Sequence, residues 1–217
     1  MNVYATEEEQ VEALKKWWQQ NGKSVLGGVL IGVAVLYGGK MWFDQRNSHI
    51  EDASAQYEAM IQDLNQDKKD HAAEIGASIL GQYSDTAYSA LAALAMAKIK
   101  VEENDLATAE THLQWALDNA KQDEVKLIAR VRLARVLNAQ GKHDEALKQL
   151  EIPDAGKFAA EYDELKGDIY VAKGDPEQAR TQYNLALQTL DAGSRARHYI
   201  EMKLDDLGEV SPAVKES

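Results

Sequence analysis

Apolar and polar positions follow three different patterns along the chain, and each predicts a different element. From Ser24 to Phe43 the residues are mostly apolar or Gly, with no polar face, and no charge falls between Lys23 and Lys40. Those 16 uncharged residues reach only about 24 Å as a helix, short of a hydrocarbon core of ~30 Å. Counting through Phe43, with Lys40 snorkelling to the surface, gives 20 residues and about 30 Å. Trp17 and Trp18 lie near one end, Trp42 and Phe43 at the other, where amphipathic rings favour the membrane interface. A buried core helix would keep a polar face, so residues 24–43 are predicted to form one membrane-spanning helix. It reads as an uncleaved signal anchor: the small-x-small site Ala53-Ser54-Ala55 lies too far beyond Phe43 for cleavage.

Ahead of the span the pattern becomes amphipathic. Thr6 and Glu9 form a capping box, and Val11, Leu14 and Trp18 follow on one helix face with Lys15 and Lys16 toward the other. Asn21-Gly22 is expected to end this helix. Residues 1–23 therefore read as a cytoplasmic amphipathic tail at the interface, with docking of a cytoplasmic protein as the sharper alternative. Lys15, Lys16 and Lys23 precede the span against Lys40 and Arg46 at or after its end, which favours a cytoplasmic amino terminus.

Beyond residue 43 the pattern is that of helix pairs joined by short turns. Asn104-Asp105 precedes Ala109, Leu113 and Ala116; Gly141-Lys142 precedes Ala146 and Leu150 before Pro153; Gly174-Asp175-Pro176 precedes Ala179, Tyr183 and Ala186. Gly167 and Tyr170 stand in the helix before the third turn. Small-large-small spacing at a period near 34 residues is the signature of tetratricopeptide repeats. The key alanines are 37 and then 33 residues apart, with the extra length assigned to a polar stretch over 118–126. Helices over 87–102 and 127–139 are apolar most of the way round, as in the interior of a stack. Residues 50–65 and 71–82 form a weaker pair around Asp67-Lys68-Lys69-Asp70. Ser194 caps a last helix ending near Leu207, one-sided like a terminal cap. The fold class is all-α: one amino-terminal transmembrane helix, then a tetratricopeptide-like solenoid over 44–208 and a disordered tail over 209–217.

Charge and chemistry narrow the function. The net charge is −12, and it belongs entirely to residues after 43, since residues 1–43 balance four Lys against four Glu. Such a domain repels nucleic acid and anionic lipid. There is no Cys, which excludes disulfides and thiolate-ligated metal. His49, His71, His112, His143 and His198 show no spacing for a shared metal, and no phosphate loop or nucleophile elbow occurs. The chain reads as a non-enzyme with no cofactor, no metal and no small-molecule substrate.

The block Glu9-Gln10-Val11-Glu12-Ala13-Leu14-Lys15-Lys16-Trp17-Trp18, with Asn21-Gly22-Lys23 leading into a Gly-rich span, resembles the YfgM family. That resemblance implies an ancillary subunit of the bacterial SecYEG translocon in the inner membrane, with a periplasmic tetratricopeptide-like domain. It also implies Sec translocon subunits and the membrane-tethered, prolyl-isomerase-like chaperone PpiD as partners, and unfolded or emerging polypeptides as clients. The alternatives from other classes are a cell-envelope assembly or division scaffold, and a regulatory protein-binding module unrelated to secretion. Placed on the tetratricopeptide pattern, the groove is lined by Leu94, Lys98, Val101, Val131, Arg135, Asn138, Asp168 and Val171. Lys98 and Arg135 there would face a carbonyl or carboxylate of an extended polypeptide; ion pairing within the stack is the competing use. Gly28 and Gly32 form a Gly-x-x-x-Gly suited to a partner helix, though Gly is common in membrane helices anyway.

Overall fold

The computed structural model describes residues 7–208, all helical apart from turns and short connections. The chain divides into two compact units, Met1–Asp52 and Ala53–Ser217. The capping-box residue Thr6 and the tail over 209–217 lie outside the described residues.

Helix α1 (Glu7–Asn65) runs without a break through Asn21-Gly22, so the expected helix end there does not occur. Asn21 Nδ2 instead donates to the Trp17 carbonyl at 3.0 Å, within the helix. Gly22 is buried beneath the Trp18 indole, where a Cβ would stand 3.2 Å from Cε2. A helical Gly costs only about 1 kcal/mol, and no Pro follows to force a stop. Through the first unit the helix carries the long apolar run, with Leu30, Ile31, Leu36 and Met41 all exposed. Among the described residues, α1 is the helix long and apolar enough to cross a membrane.

In the second unit, the end of α1 is followed by α2 (Lys69–Gln82), α3 (Ala87–Glu102), α4 (Leu106–Asn119) and α5 (Asp123–Ala139). Then come α6 (His143–Gln149), a single 3-10 turn at Gly156–Phe158, α7 (Ala159–Lys173), α8 (Pro176–Gln188) and α9 (Arg195–Asp206). From α2 onward each helix packs on its sequence neighbours, and α3–α5 and α5–α7 also meet across one helix, as in a stack of pairs. The polar stretch over 118–126 is shorter than expected: α5 starts at Asp123, because Asp123 and Glu124 suit a helix amino terminus. Helix α6 has only seven residues, since Pro153 disfavours helical backbone before it.

One turn recurs and sets the register. Asp67, Asn104, Gly141 and Gly174 all adopt left-handed backbone, with φ of 58, 61, 77 and 76°. The next N–H in each case donates to the carbonyl five residues back: Lys68 to Asp63, Asp105 to Lys100, Lys142 to Leu137 and Asp175 to Tyr170, at 2.8–2.9 Å. These are Schellman closures that satisfy otherwise orphaned carbonyls. Five residues after each left-handed position stands an alanine with no exposed surface: Ala72, Ala109, Ala146 and Ala179. Asp67 and Ala72 thus make the end of α1 and α2 a first full pair, stronger than its side chains suggest. The main core joins α3 to α7 through Leu94, Leu113, Val131, Leu133, Leu150 and Ile169. Smaller clusters close the two ends, one around Met60, Ile79 and Met96, the other around Tyr183 and Ile200.

Candidate functional site: a groove between α3 and α5

Helices α3 and α5 stand side by side over α4 and leave a cavity of about 350 Å³ between them. Its floor is apolar: Ala97 and Val101 from α3, Leu106 and Leu113 from α4, Val136 and Ala139 from α5. Its charged lining is Lys98, Glu102, Arg132 and Arg135. The spacing explains why these side chains converge, since 97/98 and 101/102 on α3, and 132, 135/136 and 139 on α5, each fall on one helix face.

Electrostatics distinguishes the four charges. Glu102 accepts a 2.8 Å contact from Lys69, and that hydrogen bond holds its carboxyl below the usual range. Lys98 reaches Glu102 only at 3.8 Å and stays 68% exposed. Arg135 donates to Glu161 of α7 at 2.9 Å, linking adjacent repeats. Arg132 is exposed and makes no ion pair among the described residues; its charge acts on Tyr57. Burial pushes the Tyr57 hydroxyl up and Arg132 opposes it.

A second cavity of about 340 Å³ lies where α7 meets α9, lined by Asp168, Val171, Tyr183, Lys203, Asp206 and Leu207. Here the charges are spent internally. Lys203 Nζ donates to Glu164 at 2.7 Å and to both Asp168 oxygens at 2.7 and 2.8 Å. The Tyr183 hydroxyl donates to Asp168 at 2.7 Å. Burial works to lower the Lys203 ammonium, but the Asp168 and Glu164 hydrogen bonds outweigh it and hold it above its ordinary range. This cluster fastens α9; it leaves little charge for a ligand.

Of the eight groove residues expected from sequence, Lys98, Val101 and Arg135 line the first cavity, and Asp168 and Val171 the second. Leu94 and Val131 are core residues at 5% and 2% exposure and present nothing to a ligand. Each stands one turn before Lys98 or Arg135 on nearly the same helix face, at a level where the main core closes over it. Asn138 turns toward α6, with Oδ1 2.6 Å from His143 Nδ1. Arg132 was not among the expected residues; its position three before Arg135 on α5 is the signal that finds it. Gly28 and Gly32 have open space where a Cβ would stand. No group of three or more His, Asp and Glu side chains among the described residues is placed to hold a metal ion.

A stack of helix pairs closed by Schellman turns, with a groove along the first helices, defines a tetratricopeptide repeat-like scaffold. Residues 15–209 match the tetratricopeptide repeat-like domain family. Crystallised kinesin light chain TPR-like repeats from Podosopora anserina superpose with a TM-score of 0.57 at 17% identity, over 73% of this chain and 86% of that one, a likeness of fold. The ancillary SecYEG translocon subunit of Haemophilus influenzae is 34% identical over 207 residues, covering 94% of this chain and 100% of the relative. Those of Escherichia coli and Neisseria gonorrhoeae are 30% and 31% identical, each covering 95% of this chain and 99% and 100% of the relatives. The chain belongs to the YfgM family of ancillary SecYEG translocon subunits.

Proposed function

We propose that this chain is a membrane-anchored scaffold at the Sec translocon. The observation that carries the reading is the extent of the kinship, because the relatives align along both units, the apolar helix as well as the repeats. Residues 24–43 serve as a single-pass inner-membrane anchor with the amino terminus in the cytoplasm; the Lys15, Lys16 and Lys23 bias supports that orientation. The repeat domain over 44–208 then lies in the periplasm. Its groove, through Lys98, Val101 and Arg135, holds a partner such as the PpiD chaperone or an emerging client polypeptide. The Gly28 and Gly32 face is the candidate contact within the membrane. The mechanism is tethering: a fixed domain beside the pore raises the local concentration of partner and client without any turnover.

The test is co-purification from membranes in mild detergent, comparing the intact chain with one whose residues 24–43 are exchanged for an unrelated anchor. Recovery of translocon subunits and a periplasmic chaperone with the intact chain is expected. Loss on exchange locates recognition in the span, and retention locates it in the repeats. Recovery of division or cell-wall enzymes instead would overturn the translocon assignment. Protease treatment of intact spheroplasts checks orientation, since a periplasmic repeat domain must be digested.

A further inference from the structure

The charge at the α3–α5 groove runs against the charge of the chain around it. The protein carries −12 overall, yet the groove lining holds three cations, Lys98, Arg132 and Arg135, and one carboxylate, Glu102. That carboxylate is already engaged by Lys69. Arg135 and Glu161 are 53% and 39% exposed, and an ion pair so open contributes little and can be exchanged for another. Three cations around an apolar floor are thus available to a ligand, and the groove's own carboxylate is not.

We propose that the groove takes an extended polypeptide segment in which an apolar side chain is flanked by Asp or Glu. This rests on the groove being the protein-binding surface. The apolar side chain enters between Val101 and Val136, over Leu106 and Leu113. The flanking carboxylates meet Lys98 on one wall and Arg132 and Arg135 on the other. A neutral segment would cover these cations without pairing them, and stripping water from an unpaired charge is costly. A basic segment meets like charge on both walls. A long polyacidic tract is repelled by the rest of the domain, whereas one or two carboxylates in direct contact are not, because distant charges are screened beyond a Debye length of about 8 Å at physiological salt.

The experiment is fluorescence anisotropy on the purified full-length chain in detergent micelles. It uses three short labelled peptides that share Leu and Phe positions and differ in the residues between: Asp/Glu, Asn/Gln or Lys. The acidic peptide is expected to bind about tenfold tighter than the amide peptide, and the Lys peptide not at all, with the preference shrinking as salt rises. Lys98→Gln, Arg132→Gln and Arg135→Gln combined are expected to leave the acidic and amide peptides bound alike. Val101→Trp, at a half-exposed position, fills the groove and is expected to abolish binding of every peptide, with thermal melts confirming that each variant folds. Equal affinity for all three peptides, still lost on Val101→Trp, would overturn the charge preference and leave the groove reading intact. An acidic preference that survives either variant would place binding elsewhere and overturn the proposal. No binding by any peptide would overturn the groove reading, and the proposal with it.

Discussion

At the scale of single residues, the stack is held by size complementarity between the two helices of a pair. A Cβ on Gly167 of α7 would stand 2.3 Å from the Tyr183 ring of α8, so only Gly admits Tyr183 there. At the other end of the stack the sizes are reversed: Gly76 of α2 is covered by Met60 and Met96, whose atoms would lie 2.8–3.0 Å from its Cβ. Gly167→Ala is therefore expected to cost about 1–3 kcal/mol, and adding Tyr183→Leu to recover part of the loss. Thermal melts of the two single variants and the double variant check this, and additive losses would contradict it. His112 supplies a pH dependence. Burial, followed by the Lys100 charge, holds its imidazole below the ordinary 6.5, with Asp105 partly opposing. The unfolded chain therefore takes up the proton first, and stability falls as pH drops from about 6.5 toward the lower folded value. His112→Gln is expected to flatten the decline in Tm between about pH 7 and pH 5.5; an unchanged decline would assign it to other groups.

At the scale of elements, the turns decide the repeat register. Asp67 and Asn104 hold a left-handed backbone that Gly adopts without the Cβ penalty, as Gly141 and Gly174 do. Asp67→Gly is expected to stabilise the second unit by about 1 kcal/mol and Gly141→Val to destabilise it by at least about as much, read by denaturant unfolding. Three of these turns are legible in sequence, because Asn-Asp, Gly-Lys and Gly-Asp-Pro each precede the alanine by a fixed interval. The first is placed by its charged run Asp67-Lys68-Lys69-Asp70, but its repeat register is obscured, because Gly76 replaces the large residue that follows the key alanine in the other pairs. The 37-residue step from Ala72 to Ala109 is the signal that reveals it. Asn21-Gly22 misleads in the opposite direction, since a stop signal within a long apolar-flanked run is overridden by continuing helix bonds and by the Trp18 packing. In the groove, Lys98 and Arg135 share a face with Leu94 and Val131 one turn back, so a spacing rule alone does not separate them; the neighbours packed against each level of the helix do.

At the scale of the whole molecule, the repeat unit ends on α9, and its register there is informative. Gly208 is again left-handed, at φ 69°, and stands 34 residues after Gly174. By that register α9 takes the place of a first helix in a further repeat. It is fastened by the fully buried Ile200 and by Lys203, whose ammonium also lies 4.6 Å from the Tyr199 ring centre. In a stack whose units touch only their neighbours, damage stays local. Ile200→Ala, a cavity worth about 2–4 kcal/mol locally, is expected to speed hydrogen exchange in α8 and α9 while leaving α3 to α5 protected. Loss of protection throughout would show the unit to be a single cooperative block.

The scaffold reading turns on whether the α3–α5 groove meets other proteins in the membrane-bound protein. Site-specific photocrosslinking in intact cells tests this most directly, with a photoreactive phenylalanine at Val101 in the groove or at Gln114 on the exposed side of α4. Adducts with a periplasmic chaperone or a secretory client from Val101, and none from Gln114, are expected. Equal adducts from both positions, or none from Val101 while the translocon still co-purifies, would contradict the groove as the site of contact.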